Sequence, residues 1–417
     1  MYQAPRGTAD ILPEEQAYRR YIEQQAAAIC SLYGYERIDT PTFEDAGLFV
    51  RSVGEGTDIV EKEMYTFRDR GDNQMTLRPE GTAPVCRAYL EHGMSNLVQP
   101  VKLYYIAPVF RYERPQAGRF RQHCQFGAEA IGEADPALDA EVIDMAWQFF
   151  KSLGLSGFSL QLNSIGCKTC RPDYFKALQK YYTARKEQLC PECGARLVRN
   201  PLRLLDCKKT GCQQIGFAAP KSTDYLCPGC QEHFTRLAGY LKALGLPFNI
   251  NHCLVRGLDY YTRTVFEIQP DIEGAQSTLG GGGRYDNLIE ELGGKPTPGI
   301  GFGTGIERIV LNLKRQKVAV PPLSKPKVFV AYLGDVAKAA AIAQAAELRR
   351  KGIGVVVSLG EKSLKAQLRQ ANTLGVAFTV ILGEDELKSA TAVVRDMATA
   401  QQVSVPLAKL AEQLTAC

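Results

Sequence analysis

No stretch of the chain approaches the roughly 18 consecutive apolar residues that a membrane-spanning helix needs, so no such helix is expected. No G-x-x-x-x-G-K-[ST] is present and no G-x-G-x-x-G opens a βαβ unit, so the P-loop and Rossmann solutions to phosphate binding are absent. The N-terminus, MYQAPRGTADILPEE, reaches acidic residues before any apolar stretch forms. Neither a secretory signal nor a transit peptide is expected, and the cytosol is the expected compartment. There is no internal repeat and no low-complexity tract. Charge of one sign is also scarce: 50 Lys and Arg against 45 Asp and Glu leave +5, too little over this length to identify a nucleic-acid partner by itself.

What is present is a globular composition. At about 150 residues per domain, 417 residues suggest two or three domains. The 45% hydrophobic and 23% charged content excludes disordered, collagen-like and coiled-coil chains. The charge is unevenly placed, because residues 325–417 carry 12 basic and eight acidic side chains. Cysteine is plentiful: there are 13, and eight of them lie between Cys167 and Cys230. An odd number in a cytosolic chain argues against a disulfide framework, so the clustering points to a metal site or an unusual insert.

Apolar spacing predicts a helix over 14–33 that stops at Gly34, an extended segment Tyr35–Phe43, and strands over 74–78, 101–111 and 124–131. A helix from Pro136 to Leu153 follows. Beyond the cysteine-rich region, strands are expected at 252–256, 263–269 and 276–283, then a helix from Gly305 to Lys317. Strand following strand implies a mainly antiparallel sheet in an α+β domain. After the Pro- and Lys-rich linker AVPPLSKPK, apolar strands alternate with amphipathic helices, which predicts a separate α/β domain with a mostly parallel sheet. The expected division is therefore 1–166 and 246–318 for the main domain, 167–245 for a Cys-rich insertion domain, 319–326 for a linker and 327–417 for the α/β domain.

Two segments carry phosphate chemistry. Arg111-Tyr112-Glu113-Arg114-Pro115-Gln116-Ala117-Gly118-Arg119-Phe120-Arg121 holds four arginines within 11 residues, and guanidinium groups bind phosphate oxygens in pairs of bonds. Such a run can also be a solvated loop, but Arg111 ends an apolar strand and should be rigid, while Gly118 lets the loop close. In Gly299-Ile300-Gly301-Phe302-Gly303-Thr304-Gly305-Ile306-Glu307-Arg308 the alternate glycines bare one strand face for a flat ligand or another backbone, with Arg308 at the following helix. A tight strand–helix junction with a surface arginine is the other reading.

These residues resemble class II aminoacyl-tRNA synthetases. Phe110-Arg111-Tyr112-Glu113 with its arginine loop is similar to their motif 2, Gly299–Arg308 to motif 3, and GYERIDTPTFE around Pro41 to the dimer-interface motif 1. Leu254-Val255-Arg256-Gly257-Leu258-Asp259-Tyr260-Tyr261 and Gly281-Gly282-Gly283-Arg284-Tyr285-Asp286 resemble the two signatures of the histidyl-tRNA synthetase family. With Arg78-Pro79-Glu80-Gly81-Thr82, the resemblance covers essentially the whole chain in order.

The resemblance implies a class II catalytic domain, a small insertion domain and an anticodon-binding domain. The implied reaction joins L-histidine and ATP to histidyl-adenylate and pyrophosphate, then transfers histidine to tRNA(His). Arg111 and Arg256 are the implied catalytic cations on the α-phosphate. Glu113, Arg119, Arg121 and Arg308 complete the implied ATP site, with Mg2+. Glu80, Gly81, Thr82 and Gln125 are implied at the ammonium end of histidine, and Glu129, Tyr260 and Tyr261 at its imidazole. One departure stands out: His123 occupies the place of the Phe that stacks on adenine in the family.

Cys190-x2-Cys193 and Cys227-x2-Cys230 have zinc-ribbon spacing, which makes these four the expected ligands of one structural Zn2+. Cys167-x2-Cys170 is expected to stand apart, and buried thiols without metal are the alternative. The basic excess after residue 325 suits tRNA phosphates, although Arg349-Arg350-Lys351 can equally be a solvated helix end. A homodimer is implied by the motif 1 likeness. Two rival readings remain: a non-catalytic regulatory subunit of ATP phosphoribosyltransferase on the same fold, and a zinc-dependent nucleic-acid-binding module.

Overall fold

The structure is a computed structural model. It describes all residues except 1, 55–56, 58, 115–118, 272–277 and 417, and the side chain of residue 416. The expected hinge Gly118 therefore lies outside the described residues. The chain resolves into two compact units, Met1–Pro321 and Pro322–Cys417.

The first unit is built on an eight-stranded sheet in the order Glu36–Arg37, Val101–Phe110, Gln122–Ile131, Gly299–Gly305, Gly280–Arg284, Thr262–Pro270, Phe158–Ser164, Phe248–Ile250. Only the two outermost pairings are parallel, so the expected antiparallel sheet is present. The helices Pro13–Leu32, Pro136–Ser152 and Ile306–Arg315 lie close to their expected positions, and the first is followed by Gly34 at φ 73°. Their apolar faces form one core with one side of the sheet. In it Phe126 meets Phe149 and Phe302 edge-on, with ring centroids at 4.8 and 5.5 Å. Each such buried ring contributes roughly 1.5–3 kcal/mol through burial.

Two features of this unit depart from the sequence pattern. Residues 252–256 are irregular, and the strand falls earlier, at Phe248–Ile250. Leu254 and Val255 are apolar because they are buried in a loop, where Asn163 donates to the Leu254 carbonyl at 3.0 Å, so their pattern imitated a strand. Further, the helix Pro228–Ala243 falls within the expected insert, yet its Phe234, Leu237 and Leu241 pack into the main core.

A buried polar node ties this core together. Arg284 donates through Nε to Asp139 at 2.7 Å and through its two Nη groups to the carbonyls of Glu133 and Asp135, while His233 and Thr264 meet the other oxygen of Asp139 at 2.9 and 2.6 Å. Burial is the largest influence on Asp139 and opposes its ionisation, but the Arg284 guanidinium and the His233 hydrogen bond together outweigh it and hold the carboxyl below its ordinary range.

The second unit has strands in the order Val355–Val357, Val328–Tyr332, Phe378–Leu382, Thr391–Asp396, Gln402–Pro406. The first three are parallel and the rest antiparallel, so the sheet is mixed, not mostly parallel. The connections explain the difference. The long helices Asp335–Arg350 and Leu364–Leu374 can bridge parallel strands, whereas the five-residue helix Glu384–Lys388 and the turn at 397–401 are too short for a crossover.

Candidate active site

The glycine-rich strands make the floor of the site. Gly301 and Gly303 pair with Glu129 and Gly127 on one side and with Gly283 and Gly281 on the other. A Cβ on Gly301 would collide with the Glu129 carboxylate, one on Gly303 with the Gln125 amide, and one on Gly283 with the Thr264 carbonyl. The bare strand face thus gives room to side chains from its neighbours. Over it lies a pocket lined by Glu80, Arg111, Gln125, Glu129, Arg256 and Tyr261, with Thr82, Tyr260 and Tyr285 at its walls.

Glu80 sits before the helix Thr82–Glu91 and accepts from the first backbone N–H groups, Thr82 at 2.7 Å and Ala83 at 2.9 Å. Tyr260 reaches the same carboxylate at 3.5 Å. Burial raises the Glu80 carboxyl above its ordinary value, while those N–H groups and Arg111 pull it back. Glu129 is deeper. Thr82 donates to its Oε1 at 2.8 Å and Tyr285 to its Oε2 at 2.7 Å. Burial pushes the Glu129 carboxyl up to about 8; its hydrogen bonds to Tyr285 and Thr82 act against this and the Glu80 charge adds to it. Gly81 contributes space: a Cβ there would strike the Tyr105 ring.

The cations hold fixed positions. Arg111 donates through Nε to the Pro79 carbonyl at 2.7 Å. Arg256 pairs with Glu267, whose second oxygen accepts from Thr278 and Gln269, each at 2.8 Å. Burial weakens the Arg256 charge, but Glu267 and Tyr261 together outweigh it and keep the guanidinium firmly protonated. Two polar atoms in this wall, Oε1 of Gln125 and Nε of Arg256, are buried with no hydrogen-bond partner. Such orphans each cost about 1–3 kcal/mol and mark where a polar ligand belongs.

The remaining predicted residues surround the pocket without lining it. Glu113 pairs with Arg119 at 3.4 Å, and the Arg121 guanidinium stacks on Tyr112 at 3.7 Å from the ring centre. Arg308 donates to the Thr278 carbonyl at 3.3 Å. His123 shares their field: burial and the charges of Arg111 and Arg308 push its pKa down to about 3, leaving a neutral ring. Arg78 is buried away from the pocket, bracing the Thr40, Pro41 and Pro108 carbonyls at 2.7–3.1 Å.

Sequence reasoning assigned no role to Tyr105, Tyr285 or Glu267. Tyr285 lies in the signature Gly281-Gly282-Gly283-Arg284-Tyr285-Asp286. The signal for Tyr105 is the pair of small residues, Gly81 and Gly127, that make room for its ring.

The cysteines assemble differently from the expectation. Cys190 and Cys193 converge with Cys207 and Cys212, and Cys227 and Cys230 converge with Cys167 and Cys170, which was expected to stand apart. The correction follows from topology. Cys167 and Cys227 lie where the chain leaves the strand Phe158–Ser164 and where it enters the helix Pro228–Ala243, so these two turns meet.

Comparison with known proteins agrees with this architecture. A family model described as histidyl-tRNA synthetase matches residues 7–169 and 224–309, and an anticodon binding domain model matches 327–416. The chain is 64% identical over 410 residues, 98% of each chain, to a histidine–tRNA ligase of Dehalococcoides mccartyi. Apo histidyl-tRNA synthetase from S. aureus superposes with a TM-score of 0.83 at 39% identity, covering 99% of this chain and 100% of that one. An ATP phosphoribosyltransferase regulatory subunit/histidyl-tRNA synthetase from Bacillus halodurans shares the fold at 23% identity and a TM-score of 0.65, over 92% of this chain and 98% of its own.

Proposed function

The chain belongs to the histidyl-tRNA synthetase family, and from that premise we propose how its pocket performs histidine–tRNA ligation. The reaction activates histidine with ATP and then esterifies the 3′ end of tRNA. Attack of the substrate carboxylate on the α-phosphate gathers negative charge on phosphoryl oxygens, and fixed cations stabilise that charge best. Arg111 and Arg256 would meet the α-phosphate. Both are held by carbonyl or carboxylate partners that leave little reorganisation to the reaction step. Glu113 would accept from adenine, His123 would stack on it as a neutral ring, and Arg119, Arg121 and Arg308 would take the outer phosphates. Mg2+ enters with ATP as part of that substrate.

Histidine would sit between the two carboxylates. Glu80, Thr82 and Gln125 suit the α-ammonium, and Glu129, Tyr260 and Tyr261 suit the imidazole. The observation that carries this reading is the convergence of two buried carboxylates and two arginines on one pocket. That set matches a zwitterion with a two-nitrogen ring, and an apolar isostere would leave it unpaired. The family's regulatory relatives share the fold, but the retained arginines and the anticodon-binding domain favour catalysis here. The chain would act in the cytosol on tRNA(His), as a homodimer through the segment around Pro41, where Phe43 is exposed. Structural zinc in the cysteine-rich segment completes the reading.

Histidine-dependent ATP–pyrophosphate exchange tests the assignment. Exchange that needs histidine supports it. Histidine binding without exchange would return the regulatory reading, and a stable monomer in sedimentation at micromolar concentration would refute the dimer.

A further inference from the structure

We propose that the cysteine-rich segment binds two Zn2+ ions, one in each four-cysteine set, and that the inner set, Cys190, Cys193, Cys207 and Cys212, positions the loop that carries Arg256. The second part rests on the reading of Arg256 as a catalytic cation.

In each set all four Sγ atoms lie within 4.8 Å of one another. Individual separations are 3.6 Å for Cys167 and Cys170, 3.9 Å for Cys167 and Cys227, and 4.0 Å for Cys190 and Cys207. A tetrahedral ion with Zn–S bonds of about 2.3 Å sets its sulfurs about 3.8 Å apart, whereas a disulfide would bring them to about 2.0 Å. None of the described cysteines is disulfide-bonded. Backbone groups also support the sulfurs, with Cys227 N–H donating to Cys170 Sγ at 3.1 Å and Cys190 N–H to Cys212 Sγ at 3.3 Å.

Buried thiols packed as small hydrophobes are the competing explanation. Apolar packing gives no reason for four sulfurs to converge, and none for this to happen twice with disjoint sets. Cys190 and Cys227 each precede a proline that opens a helix, which places the third residue onward, Cys193 or Cys230, on the same side of the turn. Two proline-led C-x2-C knuckles are thus present, one completed by the third C-x2-C pair, Cys167 and Cys170, and the other by Cys207 and Cys212.

The sets do different work. The outer one joins the two ends of the segment, at 167–170 and 227–230. The inner one organises the helices Pro191–Arg199 and Pro201–Leu204, between which Asn200 donates to Asp259 at 2.9 Å. Arg203 donates to the Arg256 carbonyl at 3.4 Å, and Arg199 pairs with Glu61 at 2.9 Å. The inner ion therefore acts on Arg256 through its backbone. It touches no substrate, and Asn200 and Arg203 are positioning residues.

The test uses the full chain, purified without added zinc. Mass spectrometry of its metals should find close to two zinc per chain, and titration with a mercurial should release both to a chromogenic chelator. Cobalt exchange should give the intense absorption of tetrahedral thiolate sites. Cys190→Ser/Cys193→Ser and Cys227→Ser/Cys230→Ser should each retain one ion. If either fails to fold, the mercurial titration of the parent still counts the ions. One zinc or none overturns the two-ion proposal. Asn200→Ala/Arg203→Ala should keep two zinc and lower kcat of pyrophosphate exchange at least tenfold, and unchanged exchange overturns the positioning role. Absence of exchange in the parent would be a failure of the ligase reading, distinguishable because the metal count stands apart from it.

Discussion

Tyr285 donates a 2.7 Å hydrogen bond to Oε2 of Glu129, while Thr82 holds the other oxygen at 2.8 Å. A strand of glycines and a helix N-terminus thereby grip one carboxyl from opposite sides. Its orientation is set before any substrate arrives, which reduces the ordering cost of binding.

Replacing Tyr285 with Phe removes one of these grips without adding bulk. Leaving a buried carboxyl oxygen short of a donor costs about 1–3 kcal/mol, which is roughly 5- to 150-fold in binding. The Michaelis constant for histidine in pyrophosphate exchange should rise over that range, with that for ATP nearly unchanged. Equal loss for both substrates would contradict the assignment of Glu129 to histidine.

The raised pKa of Glu129 makes a pH signature. Its carboxyl titrates near 8 in the folded chain against an ordinary 4.5, so the folded state keeps a proton that the unfolded state has lost. Stability from this group is therefore present at low pH and declines as pH rises between those values. Between pH 7 and 8.5 the decline amounts to about 1 kcal/mol. This window lies above the range in which His123, with its depressed pKa, works in the opposite direction. Urea unfolding of the parent should show the loss, and Glu129→Gln should unfold with a flatter pH dependence. Parallel curves would mean that Glu129 titrates normally.

Glu267 fixes Arg256 and is itself fixed by Thr278 and Gln269. Glu267→Gln keeps the shape and removes the charge, so Arg256 loses its counter-charge and its set position. Exchange should fall mainly in kcat, by roughly 10- to 100-fold on the scale of one misplaced transition-state cation. A compensating rise in kcat with weaker ATP binding would instead mean that Glu267 restrains Arg256 in the ground state.

Legibility in the sequence followed the range of the interactions. The helix at Pro136 could be read because its cap, Asp135, and its apolar face are local. Arg111, Gln125 and Glu129 could be assigned because the family resemblance implied them, and all three line the pocket. The partners Tyr105 and Glu267 could not, since their contacts depend on which strands become neighbours. The cysteines show the same limit. Spacing identified the knuckles Cys190–Cys193 and Cys227–Cys230, but which knuckle joins which is decided by where the chain leaves and re-enters the core. The strand expected at 252–256 failed because burial in a loop and burial in a sheet leave the same apolar pattern.

All residues lining the pocket lie before Pro321, and the unit Pro322–Cys417 has its own core around Val328, Val330, Val380 and Leu382. A chain ending at Pro321 therefore keeps every group assigned to histidine and ATP, along with the sheet that holds them. It loses the domain matched to anticodon binding and the basic excess that phosphate contacts would use. Pyrophosphate exchange by the truncated chain should stay within a few-fold of the parent, while tRNA charging should fall by orders of magnitude at physiological salt. Lowering the salt should recover little of it, because the contacts themselves are gone. Parallel loss of exchange and charging would show that the second unit supports the pocket, and would refute the division of labour between them.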